Sequence, residues 1–237
     1  MLVLFLVLII SVCAVVVFLI LPLALKGRSG RQSPFPLFYF VAVGLGYILV
    51  EIAFIQRFVL FLGHPTYALT VVIFLLLLSS GLGSLFSRLW LPRTEMCWLP
   101  LTLVIATLLV YVLFLPSRLA ELVGLAFGYR LLISAVLLIP LGFVMGMPFP
   151  TGLRALAHSP LLGQETREPW GSLPESPAVT DNAVEWAWAM NAAASVLGSV
   201  LAMLIAIQFG LTVALACGAG AYLAALGLMP VLRTKAA

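Results

Sequence analysis

The chain has 237 residues, 64% of them hydrophobic and only 8% charged, with a mean hydropathy of +1.23. Soluble domains carry about 25% charged residues, so a water-soluble core is excluded and an all-α polytopic membrane bundle is expected. The net charge of +4 comes from Lys and Arg at the ends of apolar runs, which is the pattern of topology signals and not of nucleic-acid binding.

A spanning helix needs about 20 apolar residues. Seven windows qualify: 2–25, 36–62, 67–87, 97–116, 130–150, 185–207 and 210–232. Residues 1–237 therefore read as a single integral membrane domain. The first run, Met1 to Lys26, is too long for the core of a signal peptide and has no basic residue ahead of it, so it reads as a true span.

Span two carries an ionisable cluster, Glu51, Gln56 and Arg57. A carboxylate in hydrocarbon costs several kcal/mol, so it has a partner or a function. At helical spacing Gly44, Tyr47, Glu51, Ile55 and Phe58 share a face. Arg57 lies about 240° further round and cannot pair with Glu51 within the helix. It sits near the outer helix end, from which it can snorkel to the interface. Glu51 is near mid-membrane and cannot do so. Two readings of it stand side by side: a site for a cation or proton, or a neutral carboxyl donating an interhelical hydrogen bond.

Between spans two and three, Gly63-His64-Pro65 makes a tight turn, followed by Tyr67. His64 reads either as a pH-sensitive group or as a solvated turn residue. Ser79-Ser-Gly-Leu-Gly-Ser84 ends span three. Its small residues let helices approach closely, and no strand precedes it as a nucleotide loop would require. Pro116 is expected to end span four. Span five holds Pro140, Pro148 and Pro150 with Gly142 and Gly146. Either the helix is broken at membrane depth, as at many transporter sites, or it ends near Met147 and Pro148 opens the exit loop.

Residues 154–184 form the one polar linker. Span six opens with Trp186 and Trp188, suited to an interfacial aromatic belt. Asn191, Ser195, Gly198 and Ala202 then share a small, polar face that should point into the bundle, with Asn191 as the expected partner of Glu51. Ala216, Gly220 and Ala224 give span seven a close-packing seam. Cys13, Cys97 and Cys217 have no metal or disulfide spacing and read as buried free thiols. With the N-terminus outside, nine basic residues (Lys26, Arg28, Arg31, Arg88, Arg93, Arg154, Arg167, Arg233 and Lys235) fall inside, against Arg118 and Arg130 outside. The bias favours N-out, C-in. No HExxH, Walker A or Ser/His/Asp set is present, so neither catalysis nor a metal or cofactor is expected.

The ordered strings Gly44–Phe58, Leu60–Leu69, Ser80–Ser84, Leu141–Pro150 and Trp186–Ser199 resemble the C-terminal membrane part of bacterial spermidine-synthase-like proteins. In that group, multispan segments flank a soluble aminopropyltransferase-type domain. The likeness covers most of the chain from about residue 36 onward. It implies a module in the bacterial cytoplasmic (inner) membrane, working beside a polyamine-synthase-like domain that this chain does not contain. One departure is Ala192, where the group usually has glycine after the asparagine.

These readings combine into a transporter-like module for a small cationic or polar solute such as an amine. Glu51 would attract the cation or carry a proton. Asn191, Tyr47, Gln56 and the segment broken by Pro140, Pro148 and Pro150 would line the cavity, with His64 and Tyr67 at its outer mouth. The alternative is a non-transporting membrane anchor or assembly subunit, whose small-residue seams bind partner helices. The bilayer is a partner in both.

Overall fold

The computed structural model describes residues 2–17, 35–90, 96, 98–157 and 178–233. These form eight helices: α1 (Leu2–Val15), α2 (Phe35–Leu62), α3 (Pro65–Trp90), α4 (Trp98–Leu122), α5 (Phe127–Met145), α6 (Pro148–Ala157), α7 (Ala178–Phe209) and α8 (Leu211–Arg233). The fold is an all-α bundle. Six stretches are long and apolar enough to cross a membrane: α2, α3, α4, α5 with α6, α7 and α8. The described part of the first expected span is the apolar helix α1, and residues 18–25 lie outside the described residues. So do residues 158–177 of the expected linker, while both flanks of that linker are helical.

Gly63 (φ 84°) and Gly210 (φ 90°) take the left-handed conformation at the α2–α3 and α7–α8 turns, where a side chain would be strained. With the α4–α5 turn these define a hairpin end of the bundle. Opposite is the end that carries α6.

Helix α2 is the central post. In its most apolar window 56% of residues are buried, against 22–39% in the other five stretches. It packs most extensively on α7 and α8. Glycines set both seams. Gly46 lies under the Tyr222 ring, Gly218 under Val50, Gly198 under Leu45 and Ile48, and Gly44 against Asn191. The pairings show that α7 runs parallel to α2 and α8 antiparallel to it. Phe54, Phe58 and Tyr111 fill the core toward α4.

A second parallel pair is α3 with α5. Gly83 meets the Phe143 main chain, Gly142 meets Ser79, and Gly146 meets the Ser80 main chain. The small-residue run read at Ser79–Ser84 is thus a close-packing surface. The outer surface of α3 is apolar, with Phe74, Leu77, Leu78, Leu85 and Leu89 exposed, as contact with a bilayer requires.

Several expectations are corrected. Pro116 does not end α4, which continues to Leu122. Pro140 does not break α5, and it is exposed on the helix surface. A proline weakens the hydrogen bonding of carbonyls one turn before it. The Tyr111 hydroxyl donates to the carbonyl of Leu137, next to the Val136 carbonyl that Pro140 leaves without its helical donor, at 2.8 Å, and so ties α4 to this turn of α5. The break falls instead at Gly146–Met147. The helix thus ends near Met147, as one reading had it, but Pro148 opens no exit loop: it is the first residue of α6, where its missing N–H costs nothing. Pro150 lies in the same first turn. Arg57 does not snorkel. It is buried and donates from Nη2 to Thr212 Oγ1 at 2.9 Å. Cys13 is exposed and Cys217 half-buried, while Cys97 lies outside the described residues.

Arginines close two helix C-termini whose carbonyls have no partner within the helix. Arg130 of α5 donates to Phe61 O at 2.9 Å. Arg154 of α6 donates to both Ser87 Oγ and Ser87 O, tying α6 to the last turn of α3.

Candidate functional site

Glu51 sits eleven residues before the end of α2, about 17 Å along the axis from the hairpin end, and sixteen residues after its start. The carboxyl is therefore near mid-helix. The neighbours of α2 define what it faces. Tyr47, one turn earlier, meets α3 at Ser80 with the two hydroxyl oxygens 3.3 Å apart. Ile48 meets α7 at Gly198. On a 3.6-residue helix Glu51 projects about 40° from Tyr47 and about 60° from Ile48, between the two. Helices α3 and α7 do not pack along one another. Glu51 thus points into a groove with α2 as floor and α3 and α7 as walls.

The α6 end of this groove is crossed by α6, which touches its floor and both walls. Tyr39 of α2 donates to Pro148 O at 2.8 Å, and Gly152 lies against the Tyr39 ring. Arg154 holds Ser87 on the α3 side. On the α7 side Phe149 meets the Trp188 ring edge-on at 4.5 Å.

Within the groove, Ser80 Oγ can also donate to Leu77 O at 3.2 Å. The Tyr47 and Ser80 hydroxyls are 3.3 Å apart, and either can donate to the other, so the Tyr47 hydroxyl is held toward α3. Glu51 is half-buried. Among the described residues no hydrogen bond or ion pair reaches its carboxyl. A carboxylate that is neither paired nor sealed into dry protein can accept a proton, a water or an organic cation.

The predicted partner is not there. Asn191 lies against Gly44, where an added Cβ would stand 2.6 Å from its Oδ1. Gly44 is seven residues before Glu51, or about 10 Å along the axis, too far for a hydrogen bond. Asn191 is half-buried on the same groove, nearer α6. Ala192 is exposed and points away from that contact, so the glycine that permits the close approach is on α2.

Gln56 is turned from the groove into the α2–α7 seam, donating Nε2 to Met203 Sδ at 3.0 Å. His64 and Tyr67 are also elsewhere. His64 Nδ1 accepts the N–H of Thr66 at 3.3 Å, as an N-cap does at the start of α3. Tyr67 stacks between His64 and Phe127 of α5, with ring centroids 5.4 and 5.2 Å away. Both side chains are exposed at the hairpin end. The structure therefore brings together Glu51, Tyr47 and Ser80, sets Asn191 along the same groove, and leaves Gln56, His64 and Tyr67 out.

Ser80 was legible only as a packing residue, although its place on one face with Ser84 marked α3 as the wall bearing hydroxyls. The Tyr39–Pro148 and Arg57–Thr212 contacts had no sequence signal, since each joins residues more than 100 positions apart. No protein-family model, curated protein or solved structure matches the chain.

Proposed function

We propose that this chain is a transporter-like module for a small organic cation such as an amine, with Glu51 as the cation- or proton-accepting group. The observation that carries the reading is the half-buried Glu51 carboxyl, without a partner among the described residues, beside the Tyr47–Ser80 pair in a groove near mid-helix. A carboxylate held only to glue helices would have a donor opposite it. Asn191 lies about 10 Å away along the axis, and the Tyr47 and Ser80 hydroxyls are engaged with one another and not with the carboxyl. Helix α6, tied to three neighbours and joined to α5 at Gly146–Met147, closes one end of the solute path.

In this reading the hairpin end faces outward and the α6 end faces the cytoplasm of a bacterial cell, following the basic residues at the span ends. The module works beside a spermidine-synthase-like domain, on the strength of the five residue strings that resemble that group. None of that domain's catalysis is assigned to this chain.

The test is flux. The purified chain, reconstituted in vesicles with an imposed proton gradient, is expected to accumulate a labelled small amine above the level of empty vesicles. Flux equal to that of empty vesicles, across monoamines, diamines and longer polyamines, would remove the transporter class and leave the anchor reading.

A further inference from the structure

Arg57 is 9% exposed, yet its only hydrogen-bond partner among the described residues is the neutral hydroxyl of Thr212. Its Nε is buried and donates to nothing. Among the described residues no carboxylate compensates it. Glu51 is six residues earlier on another face of α2, and Glu121 is engaged by Arg118 at 3.2 Å. A buried guanidinium without an anion is an incomplete arrangement.

What the guanidinium meets makes the imbalance worse. Thr212 is the second residue of α8, a 23-residue helix. The N–H groups of a first helical turn have no acceptor within the helix, and that end of the helix carries partial positive charge. The residue before α8 is Gly210, which has no side chain with which to cap them. In an arginine, Nε and Nη2 lie on one edge, the edge that grips an oxyanion side-on. Since Nη2 reaches Thr212, the guanidinium faces the first turn of α8. Two positive groups therefore converge on one spot, with no negative group of the described residues between them.

We infer that Arg57 and the N-terminus of α8 form a binding site for an oxyanion, a phosphate or phosphate ester. Arg57 is five residues from the end of α2, about 8 Å along the axis, within reach of the headgroup layer of a bilayer. The anion can thus be the phosphate of an anionic phospholipid or one arriving from water. This site is on a different face of α2 from Glu51 and does not depend on the transport reading.

The test is thermal melting of the full chain in neutral detergent, titrated with phosphatidylglycerol and separately with inorganic phosphate. A saturable rise in Tm is expected with at least one probe. A response to the lipid only identifies a headgroup site, and a response to inorganic phosphate identifies a site for soluble anions. In R57Q the apparent affinity should fall about tenfold or more, the scale of a lost charge-assisted pair. Should R57Q fail to fold, T212D decides. It supplies Arg57 with a built-in carboxylate at a helix N-terminus, so its Tm without added anion should exceed that of the wild type and no longer respond to either probe. Absence of a saturable shift with both probes would overturn the inference, as would an undiminished shift in R57Q or T212D.

Discussion

A Gly83→Val variant is expected to lose about 3 kcal/mol of stability or more, at the upper end of what overpacking costs. The site of the clash sets the size of the effect. An added Cβ at Gly83 falls on the Phe143 carbonyl, and a main-chain atom inside α5 cannot rotate away as a side chain can. Relief requires α3 and α5 to separate, which also strips the contacts of Gly142 on Ser79 and of Gly146 on Ser80. Gly81, two residues away on the same helix, is the control. It is exposed, and an added Cβ there meets nothing within 4 Å, so Gly81→Val should melt close to the wild type. Melting temperatures in detergent for the pair read the difference directly. Equal melting of the two variants would mean that the α3–α5 seam is not packed as described.

The second large effect is on flux. Glu51→Gln keeps the shape of the side chain and breaks no hydrogen bond or ion pair among the described residues, so the melting temperature should hardly move. It removes the charge that a cation or proton would meet. A hydrogen bond to a charged group contributes about 1.5–3 kcal/mol, so amine flux should fall about 10- to 100-fold. Gln56→Ala, whose side chain turns into the α2–α7 seam and donates to Met203 Sδ, should leave flux close to that of the wild type, because it lies outside the groove. Unchanged flux in Glu51→Gln, in vesicles where the wild type transports, would take Glu51 out of the solute path without disproving transport itself.

The helices were legible because hydrocarbon thickness and backbone hydrogen bonding leave one solution for a long apolar run. The small-residue faces were legible too, since Ser80 with Ser84 and Gly83 with Ser87 on α3, and Gly198 with Ala202 on α7, recur at helical spacing. What spacing does not encode is which helix lies opposite. These helices are apolar almost all round, so no polar stripe marks the outward side. Asn191 was rightly placed on the inward face of α7. Its level along α2 was not readable, because it depends on the offset between two parallel helices, and that offset is set by the fit of Asn191 to Gly44 and of Gly198 to Ile48.

Proline misled in a related way. Pro116 and Pro140 sit inside α4 and α5. Whether a proline breaks a helix depends on what surrounds its turn, and here the turn before Pro140 is held by the bond from Tyr111 to Leu137 O, which comes from another helix. Arg57 shows the same limit. Its position near a helix end permitted snorkelling, but the α8 turn at Gly210 brings Thr212 over it and buries it instead. His64 was read as a turn residue, and its role as acceptor for Thr66 N–H follows from the same turn once Pro65 starts α3.

The central claim is that the Glu51 carboxyl is open to water at mid-helix. Its most direct measurement is the reactivity of Glu51→Cys, in a chain whose Cys13, Cys97 and Cys217 are serine, toward a small cationic thiol reagent added to the aqueous phase. The side chain of Phe54, fully buried three residues further on, provides the comparison as Phe54→Cys. The predicted result is labelling at position 51, slowed by added amine, with position 54 inert. If position 51 is as inert as position 54 in a folded protein, the carboxyl lies in dry surroundings and the account of the groove is contradicted.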